Sequence, residues 1–391
     1  MISPPSSAPG ALPAPTPEEL ELGRQLEAVI RREIEAAGGT LPFSRFMELA
    51  LYAPGLGYYS GGRQKFGAGG DFVTAPELGH VFARCLARQC AEVLAATGGG
   101  ILEAGAGSGA LAAELLLELE RLGRMPARYL ILELSGELRA RQQATLSERA
   151  PQLAGRVAWI DAPPAAGFRG VILGNELLDA MPVERFRIDG GEIMQLAVGW
   201  DGERFVWRSI PADAALRERV ATLGLQDGYE SELGLAAEGW IRSAADSLET
   251  GVLLLIDYGF PRTEFYHPQR ATGTLMCHYR HRSHPDPLIL AGLQDLTAHV
   301  DFSAIAAAGR EAGLRLLGYT SQSLFLLGCG IDEVVADMGA LDTRAQLLLA
   351  AELKKLTLPH EMGELFKVIA LGRGVSGPLR GFGVQDRGAR L

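Results

Sequence analysis

Three glycines alternate with small residues directly after a short apolar run, in the segment Glu103-Ala-Gly105-Ala-Gly107-Ser-Gly109. The apolar run Ile101–Ala104 predicts a strand, and Leu111–Leu122 predicts the helix that follows. Glycines at such a junction permit a tight turn and let a ligand approach the backbone. Amides at the N-terminus of the helix would face that ligand. The segment therefore predicts a ligand site at the carboxyl end of a strand.

The chain around this turn alternates strand and helix patterns. The predicted strands are Ile101–Ala104, Tyr129–Leu134, Val157–Ile160, Gly170–Gly174 and Val252–Asp257, with Leu314–Thr320, Leu324–Leu327 and Phe366–Leu371 completing the sheet. Such alternation favours a parallel sheet that helices cover on both faces. We therefore predict a Rossmann-like α/β fold.

Composition divides the chain into modules. The predicted organisation is a disordered Pro-rich tail at 1–16, a helical and loop-rich module at 17–96, a core at 97–375 and a flexible tail at 376–391. Within the core, we expect an insertion around 188–250 and a long functional loop at 258–300. Gly199-Trp-Asp-Gly202 lies between two strand-like runs and predicts a β-hairpin in the insertion.

Charge and hydropathy restrict the partners. The net charge is −10, from 37 basic and 47 acidic residues without a long Lys/Arg run, so we predict no nucleic-acid binding. An acidic surface favours a protein substrate with a basic segment. Purely aliphatic runs such as Val252–Ile256 are too short to span a membrane. No leader pattern precedes Arg24, the first basic residue, and the four cysteines form no C-x-x-C pair. These features predict a cytoplasmic protein, and they are compatible with a homodimer.

The glycine spacing alone fits two classes of cofactor. Gly105, Gly107 and Ala110 loosely satisfy the dinucleotide pattern G-x-G-x-x-G/A, which favours a nicotinamide-dependent oxidoreductase. Glu103 two residues before the first glycine, together with Gly109, gives the form E-x-G-x-G-x-G that is typical of methyltransferases. The motif also begins about a quarter of the way along the chain, whereas dinucleotide folds often start with it. The balance favours a methyl-donor site.

Two acids end the next strands. Glu133 ends the second strand, where a carboxylate accepts hydrogen bonds from ribose hydroxyls in both cofactor classes. Asp161 ends the third strand, and we expect it near an adenine ring.

Polar residues also end the fourth strand abruptly, in Gly174-Asn175-Glu176-Leu-Leu-Asp179. Glu176 and Asp179 are three residues apart and would share one face of a helix. Two carboxylates on one face suit a cation such as guanidinium, through charge-assisted hydrogen bonds. Asn175 as an N-cap with acids in the first helical turn is the structural alternative.

The spacing of His278, His281 and His284 raises the question of a metal. Arginines and Pro285 surround these histidines, and the order H-E-x-x-H is absent. We predict a mobile substrate loop here and no metal site.

At this point several segments together resemble one family. They are Gly57-Tyr-Tyr59, Gly70-Asp-Phe-Val-Thr-Ala-Pro-Glu77, the glycine turn, Gly174-Asn-Glu-Leu-Leu-Asp-Ala-Met-Pro-Val183, Asp257-Tyr-Gly-Phe-Pro261, Gly273-Thr-Leu275, Thr297-Ala-His-Val-Asp-Phe302 and Glu361-Met-Gly-Glu-Leu-Phe-Lys367. This combination, over about residues 25 to 372, resembles the MidA family, methyltransferase-like proteins that include a mitochondrial complex I assembly factor.

The resemblance implies a seven-stranded methyltransferase core with an added N-terminal helical module, S-adenosylmethionine as cofactor and protein-arginine methylation. It implies that Thr74, Pro76 and Glu77 lie near the cofactor. It implies that Gly105, Gly107 and Glu133 bind the cofactor, and that Asn175 and Glu176 face the reacting methyl group. A non-catalytic assembly factor that retains the cofactor fold is the main alternative.

Overall fold

The computed structural model describes residues 12–61, 74–338 and 341–391, arranged in two compact units. Unit 1 combines the described residues of Met1–Phe72 with Ala180–Leu233 and Pro268–Ala298. Unit 2 combines those of Val73–Asp179 with Gly234–His267 and His299–Leu391. The N-terminal module, the insertion and part of the long loop therefore contribute to one unit, and the boundaries differ from those predicted from composition. Residues 1–11 of the predicted tail lie outside the described residues.

The described chain contains sixteen strands. They are β1 (Leu41–Pro42), β2 (Gly100–Ala104), β3 (Tyr129–Leu132), β4 (Val157–Ile160), β5 (Phe168–Asn175), β6 (Glu184–Asp189), β7 (Glu192–Trp200), β8 (Phe205–Pro211), β9 (Glu230–Leu233), β10 (Leu248–Phe260), β11 (Met276–Tyr279), β12 (Arg282–His284), β13 (Asp295–Thr297), β14 (Val300–Asp301), β15 (Arg315–Ser321) and β16 (Phe366–Arg373).

The same residues form fourteen α-helices. They are α1 (Pro17–Ala36), α2 (Phe43–Tyr52), α3 (Ala75–Leu78), α4 (Val81–Thr97), α5 (Ala110–Arg121), α6 (Gly136–Arg149), α7 (Ala214–Ala221), α8 (Leu235–Ser247), α9 (Arg262–Phe265), α10 (Phe302–Glu311), α11 (Gln322–Gly328), α12 (Ile331–Asp337), α13 (Thr343–Thr357) and α14 (Met362–Leu365). None of the helices in these described ranges has the length and apolar character needed to cross a membrane.

The main sheet of unit 2 has the strand order β15-β16-β10-β5-β2-β3-β4, and the short β14 pairs with β10. The strands β2, β3, β4, β5 and β10 pair in parallel, whereas β16 runs antiparallel between β10 and β15. This path of seven strands confirms the predicted Rossmann-like α/β fold. The carboxyl ends of the five parallel strands meet at one edge, which is where open α/β sheets hold their ligands.

The core of unit 2 is built around the central strands of its main sheet. Every residue of β2 is buried, as expected when helices cover both faces of a sheet. Apolar side chains of α4 and α5, including Phe82, Leu86, Leu115 and Leu119, belong to the same buried cluster as Ile101. This packing fixes α5 behind the turn that follows β2.

Unit 1 contains two smaller sheets. One has the order β1-β7-β6-β9 with β8 on β7, and the other has the order β12-β11-β13. The β7–β8 pair, closed between Trp200 and Phe205, is the predicted hairpin. Thr16 caps α1, since its hydroxyl accepts from Glu19 N while the Glu19 carboxylate accepts from Thr16 N. The core includes Leu26, Ile30 and Phe46.

Three local expectations are corrected. Residues 324–327, predicted as a strand, lie in α11, because short apolar runs fit a buried helix as well as a strand. Residues 258–300, predicted as one long loop, contain the end of β10, α9, β11, β12, β13 and the start of β14. The histidines from 278 to 284 accordingly lie on the β11–β12 hairpin, where His278 pairs with Ser283 and Cys277 with His284.

The chain from 376 to 391 is packed, where composition predicted a flexible tail. Leu379 and Phe382 are buried, and the Phe382 ring lies 5.5 Å from that of Phe325. The amide of Gly381 donates to Gln89 Oε1 at 2.8 Å. The buried apolar area and the paired backbone outweigh the flexibility that the local glycines suggest.

Candidate active site

The turn between β2 and α5 needs glycine for its backbone conformation. Gly105, Gly107 and Gly109 have φ values of 67°, 52° and 84°, in the left-handed region that favours glycine. Space is also limited at two of them. A Cβ at Gly105 would lie 3.1 Å from Leu177 Cδ1, and one at Gly109 would lie 3.0 Å from Gln142 Cα. Because the glycines have no side chains, the backbone of the turn is open to close approach by a ligand.

Glu133 follows β3, and its carboxylate is fixed by two hydrogen bonds. Oε1 accepts from the amide of Ser135 at 2.9 Å, and Oε2 accepts from Gln142 Nε2 at 3.0 Å. Gln142 Nε2 also donates to the carbonyl of Gly107 at 3.1 Å, and Gln142 Oε1 accepts from Trp159 Nε1 at 2.8 Å. A single buried amide therefore joins the glycine turn, Glu133 and β4. Gln142 belongs to none of the motifs recognised in the sequence.

Asp161, at the end of β4, forms an ion pair. Its Oδ1 accepts from Arg139 Nη2 at 2.5 Å. Arg139 also donates to the carbonyls of Glu133 and Ile160, so it closes the ends of β3 and β4. The Asp161 side chain is largely exposed. The structure thus places Asp161 at the edge of the sheet with its carboxylate on an arginine, and adenine contact stays a prediction.

Glu103 lies inside the core. Its Oε2 accepts from the Tyr129 hydroxyl at 2.5 Å, across the neighbouring strands β2 and β3. Burial raises the pKa of Glu103 to about 7. Glu103 was predicted to bind the cofactor. Its carboxyl is hydrogen-bonded to Tyr129 in the core and takes no part in the described hydrogen bonds around Glu133.

Helix α3 places Glu77, one of the residues predicted to lie near the cofactor, at the glycine turn. Ser108 Oγ donates a short hydrogen bond to Glu77 Oε1. Pro76 is buried, and Thr74 occupies the N-cap position without a side-chain capping bond. Of the segment that begins at Gly70, residues 70–73 lie outside the described part of the chain.

Asn175 ends β5, and Glu176 follows it in a strained backbone conformation. Glu176 has φ of 51°, which costs a non-glycine residue on the order of 1–3 kcal/mol. Its amide donates to Ile256 O at 2.9 Å, and its Oε1 accepts from Asn175 Nδ2 at 3.1 Å. Asn175 Oδ1 is buried and has no hydrogen-bond partner among the described residues. Strained residues with an unsatisfied polar neighbour are typical of functional sites.

The residues after Glu176 form a turn, so the predicted helix face shared with Asp179 is wrong. Asp257 is the reason. Its Oδ2 accepts from the amides of Leu177 at 3.1 Å, Leu178 at 2.8 Å and Asp179 at 3.3 Å, which draws the backbone around the carboxylate. Tyr258 donates a short hydrogen bond to Asp179 Oδ2. Burial and the neighbouring Asp179 raise the pKa of Asp257.

Aromatic rings continue this edge of unit 2. The Tyr258 ring lies 5.3 Å from those of His299 and Phe366, and Phe260 lies 5.2 Å from His299. Lys367 Nζ lies 5.7 Å from the Phe260 ring, and burial lowers the pKa of Lys367 to about 8. All five residues lie in the segments quoted for the family resemblance, although none was assigned a role.

A cleft of about 580 Å³ opens on unit 2. Its described lining is Pro76, Glu77, Gly79, His80, Arg84, Glu114, Leu117, Glu118, Arg121 and Arg149. The charged groups in it are largely paired with one another, as in His80 Nδ1 to Glu114 Oε2 at 2.7 Å. This lining contains neither the three glycines nor Glu133 or Glu176, but it includes Pro76 and Glu77 of the set predicted to lie near the cofactor.

Comparison with known proteins decides between the two classes of cofactor. The model of the family described as "Putative S-adenosyl-L-methionine-dependent methyltransferase" matches residues 85–320. The chain belongs to this family. It is an S-adenosylmethionine-dependent methyltransferase, as the resemblance predicted, and the nicotinamide-dependent alternative is wrong.

Solved structures agree over the whole length. A crystal structure from Burkholderia thailandensis bound to S-adenosyl-homocysteine is 50% identical, with a TM-score of 0.93, and the match covers 97% of this chain and 100% of that one. A native structure from the same organism is 49% identical, with a TM-score of 0.91 and the same coverage. The fold and the cofactor class are therefore those of a methyltransferase.

More distant relatives carry a more specific name. The "Protein arginine methyltransferase NDUFAF7, mitochondrial" of Danio rerio is 28% identical over 86% of this chain and 84% of its own length. The Drosophila melanogaster homologue is 25% identical over 96% of this chain and 90% of its own. Both are named as mitochondrial, which contradicts the cytoplasmic localisation predicted from the N-terminus.

The residues at the strand edge fit S-adenosylmethionine. Each Glu133 oxygen accepts one described hydrogen bond and keeps a lone pair for a ribose hydroxyl. Leu134 beside it is 78% exposed, an apolar surface that a flat base would cover. Asn175 Oδ1 is a buried acceptor without a described partner, and a ligand ammonium would satisfy it.

Proposed function

We propose that this enzyme methylates an arginine side chain in a basic segment of a protein substrate. The observation that carries the proposal is the carboxylate of Glu176, a residue with a strained backbone at the carboxyl edge of β5. Two further carboxyl groups, Asp179 and Asp257, are buried beside it. A guanidinium is the side chain that such a carboxylate binds best, through paired charge-assisted hydrogen bonds. The names of the mitochondrial relatives support the same acceptor.

For the cofactor, we assign Gly105, Gly107 and Gly109 to close backbone approach and Glu133 to the ribose hydroxyls. Thr74, Pro76 and Glu77 would border the same ligand, because Glu77 contacts Ser108 in the turn. Bound S-adenosylmethionine supplies an electrophilic methyl group on its sulfonium. Asp161 is assigned to the adenine end, and Glu103 supports the turn from within the core.

The acceptor needs help from the protein because a guanidinium with a pKa above about 12 is a poor nucleophile. Transfer forms a nitrogen–carbon bond, breaks the sulfur–carbon bond and releases one proton from the guanidinium. We assign Glu176 to orient the nitrogen and to take up that proton. Asn175 would hold Glu176 in place, through its Nδ2 donor. Asp179 would support the acceptor site from the turn that follows Glu176, where the Tyr258 hydroxyl donates a hydrogen bond to its carboxylate.

The acceptor type is testable without knowing the substrate in advance. Purified enzyme and methyl-labelled S-adenosylmethionine are incubated with lysate from cells that lack the protein, and labelled residues are identified by mass spectrometry. We expect label on arginine, abolished by Glu176→Gln and retained by Glu148→Gln, a matched change on the exposed face of α6. Label only on lysine or on small molecules would overturn the arginine proposal. No label on any cellular component would favour the non-catalytic assembly factor.

A further inference from the structure

The side-chain amide of Gln142 has its orientation decided by chemistry. Trp159 Nε1–H can only donate, so the group that faces it at 2.8 Å must be the Gln142 oxygen. The NH₂ group is then directed to the other side. There it has two hydrogens and two acceptors, Gly107 O at 3.1 Å and Glu133 Oε2 at 3.0 Å. All of its donors are used, and the residue is fully buried on α6.

The position of Gln142 makes this arrangement specific to the cofactor site. It connects the carbonyl of the central glycine of the turn with the carboxylate that follows β3, two groups that the sequence separates by 26 residues. A Cβ at Gly109 would meet Gln142 Cα, so the α6 backbone also lies against the turn. Neither Gly107 nor Glu133 can shift far without breaking a hydrogen bond to the same amide.

We propose that Gln142 is a positioning residue that holds Glu133 in the orientation that binds the cofactor ribose, with Trp159 acting as the group that fixes the amide. The inference rests on the assignment of Glu133 to the ribose in the proposed function. It is independent of the acceptor, because it concerns cofactor affinity alone. Without the amide, Glu133 Oε2 loses its donor and the carboxylate turns, although the carboxylate charge remains.

This role predicts a loss that depends on the ribose hydroxyls of the ligand. The probes are S-adenosylhomocysteine and its 2′-deoxy analogue, titrated by calorimetry against the native enzyme, Gln142→Met and Gln143→Glu. Methionine keeps the length of the side chain and removes both donors. Gln143 is exposed on the same helix and provides the matched control.

We expect the native enzyme to bind S-adenosylhomocysteine about 10- to 100-fold more tightly than the deoxy analogue, the range for hydrogen bonds to a charged group. In Gln142→Met, this ratio should fall below about threefold, whereas Gln143→Glu should keep it. A Gln142→Met enzyme that retains the native ratio would overturn the proposal, even if both ligands bind more weakly, since a purely structural defect weakens both equally.

Trp159→Phe provides the second variant, should Gln142→Met not fold. It leaves Gln142 in place and removes the only donor that the structure describes for the amide oxygen. We expect its ratio to fall at least threefold below the native value, and an unchanged ratio would contradict the fixing role. A native enzyme that binds S-adenosylhomocysteine without discriminating the deoxy analogue would refute the ribose assignment instead. Arginine labelling in lysate tests the acceptor separately.

Discussion

Asp257 Oδ2 accepts the amide hydrogen of Leu178 at 2.8 Å, and the flanking amides of Leu177 and Asp179 point at the same oxygen. One buried carboxylate on β10 thereby shapes the turn that leaves β5. The turn begins at Glu176, whose positive φ is otherwise unfavourable for a side chain. The geometry of the proposed acceptor site thus depends on a residue of the neighbouring strand.

Asp257→Ala should destabilise the protein by about 2–4 kcal/mol, because it leaves four backbone amides, those of residues 177, 178, 179 and 258, without their acceptor. Denaturant unfolding of the native and variant enzymes measures the difference. Asp246→Ala is the control, an exposed aspartate on α8. A loss below about 0.5 kcal/mol for Asp257→Ala would mean that water or a rearranged backbone replaces the carboxylate.

Gly109→Ala tests the contact between the glycine turn and α6. Alanine there is both strained, at φ of 84°, and crowded, with its Cβ 3.0 Å from Gln142 Cα. Gly38→Ala carries the same strain, at φ of 82°, with no described atom within 4 Å of the added Cβ. We expect both variants to lose about 1 kcal/mol of stability from strain. Only Gly109→Ala should also weaken S-adenosylhomocysteine binding, and equal affinities in calorimetry would refute the role of the contact.

Glu103 should make stability depend on pH. Burial raises the pKa of Glu103 from 4.5 to about 7, so the folded state retains a proton that the unfolded chain releases. The associated stability is fully present below pH 4.5 and is lost as the pH rises through about 7. The full loss is about 3 kcal/mol, from roughly 1.4 kcal/mol for each pKa unit.

Glu103→Gln mimics the protonated side chain and should remove this dependence. The stability difference between the variant and the native enzyme should be near zero at pH 4.5 and approach 3 kcal/mol in favour of glutamine by pH 8. Urea unfolding across that range provides the values, with Glu148→Gln as a reference on an exposed site. A difference that stays constant with pH would show that Glu103 is ionised in the folded protein throughout.

Much of the fold and part of the site follow from local sequence. The parallel strands are continuous apolar runs, and the residues that end them, Glu133 and Asn175, lie at the edge where strand order places them. Asp257 ends a predicted strand in the same way, so the same signal pointed to it. Gln142 had no such signal, because its partners lie on three other elements and α6 has a polar sequence.

Other residues show where local patterns are not sufficient. Glu103 matches a ligand-binding motif, yet it stands in a strand that is buried on both faces and pairs with Tyr129. The run at 324–327 is too short for its periodicity to distinguish a strand from a helix. Local sequence also does not show which segments form unit 1, because tertiary packing joins segments that are spread over more than two hundred residues.

The most direct test of the account separates turnover from cofactor binding in Glu176→Gln. Once the labelled acceptor peptide is known, kcat for its methylation and the Kd for S-adenosylhomocysteine are measured for the native enzyme, Glu176→Gln and Glu148→Gln. We predict that Glu176→Gln lowers kcat by about 100-fold or more, the usual contribution of a positioned acid–base group, and leaves Kd within about threefold. Unchanged kcat in Glu176→Gln would contradict the central claim that this carboxylate serves the acceptor.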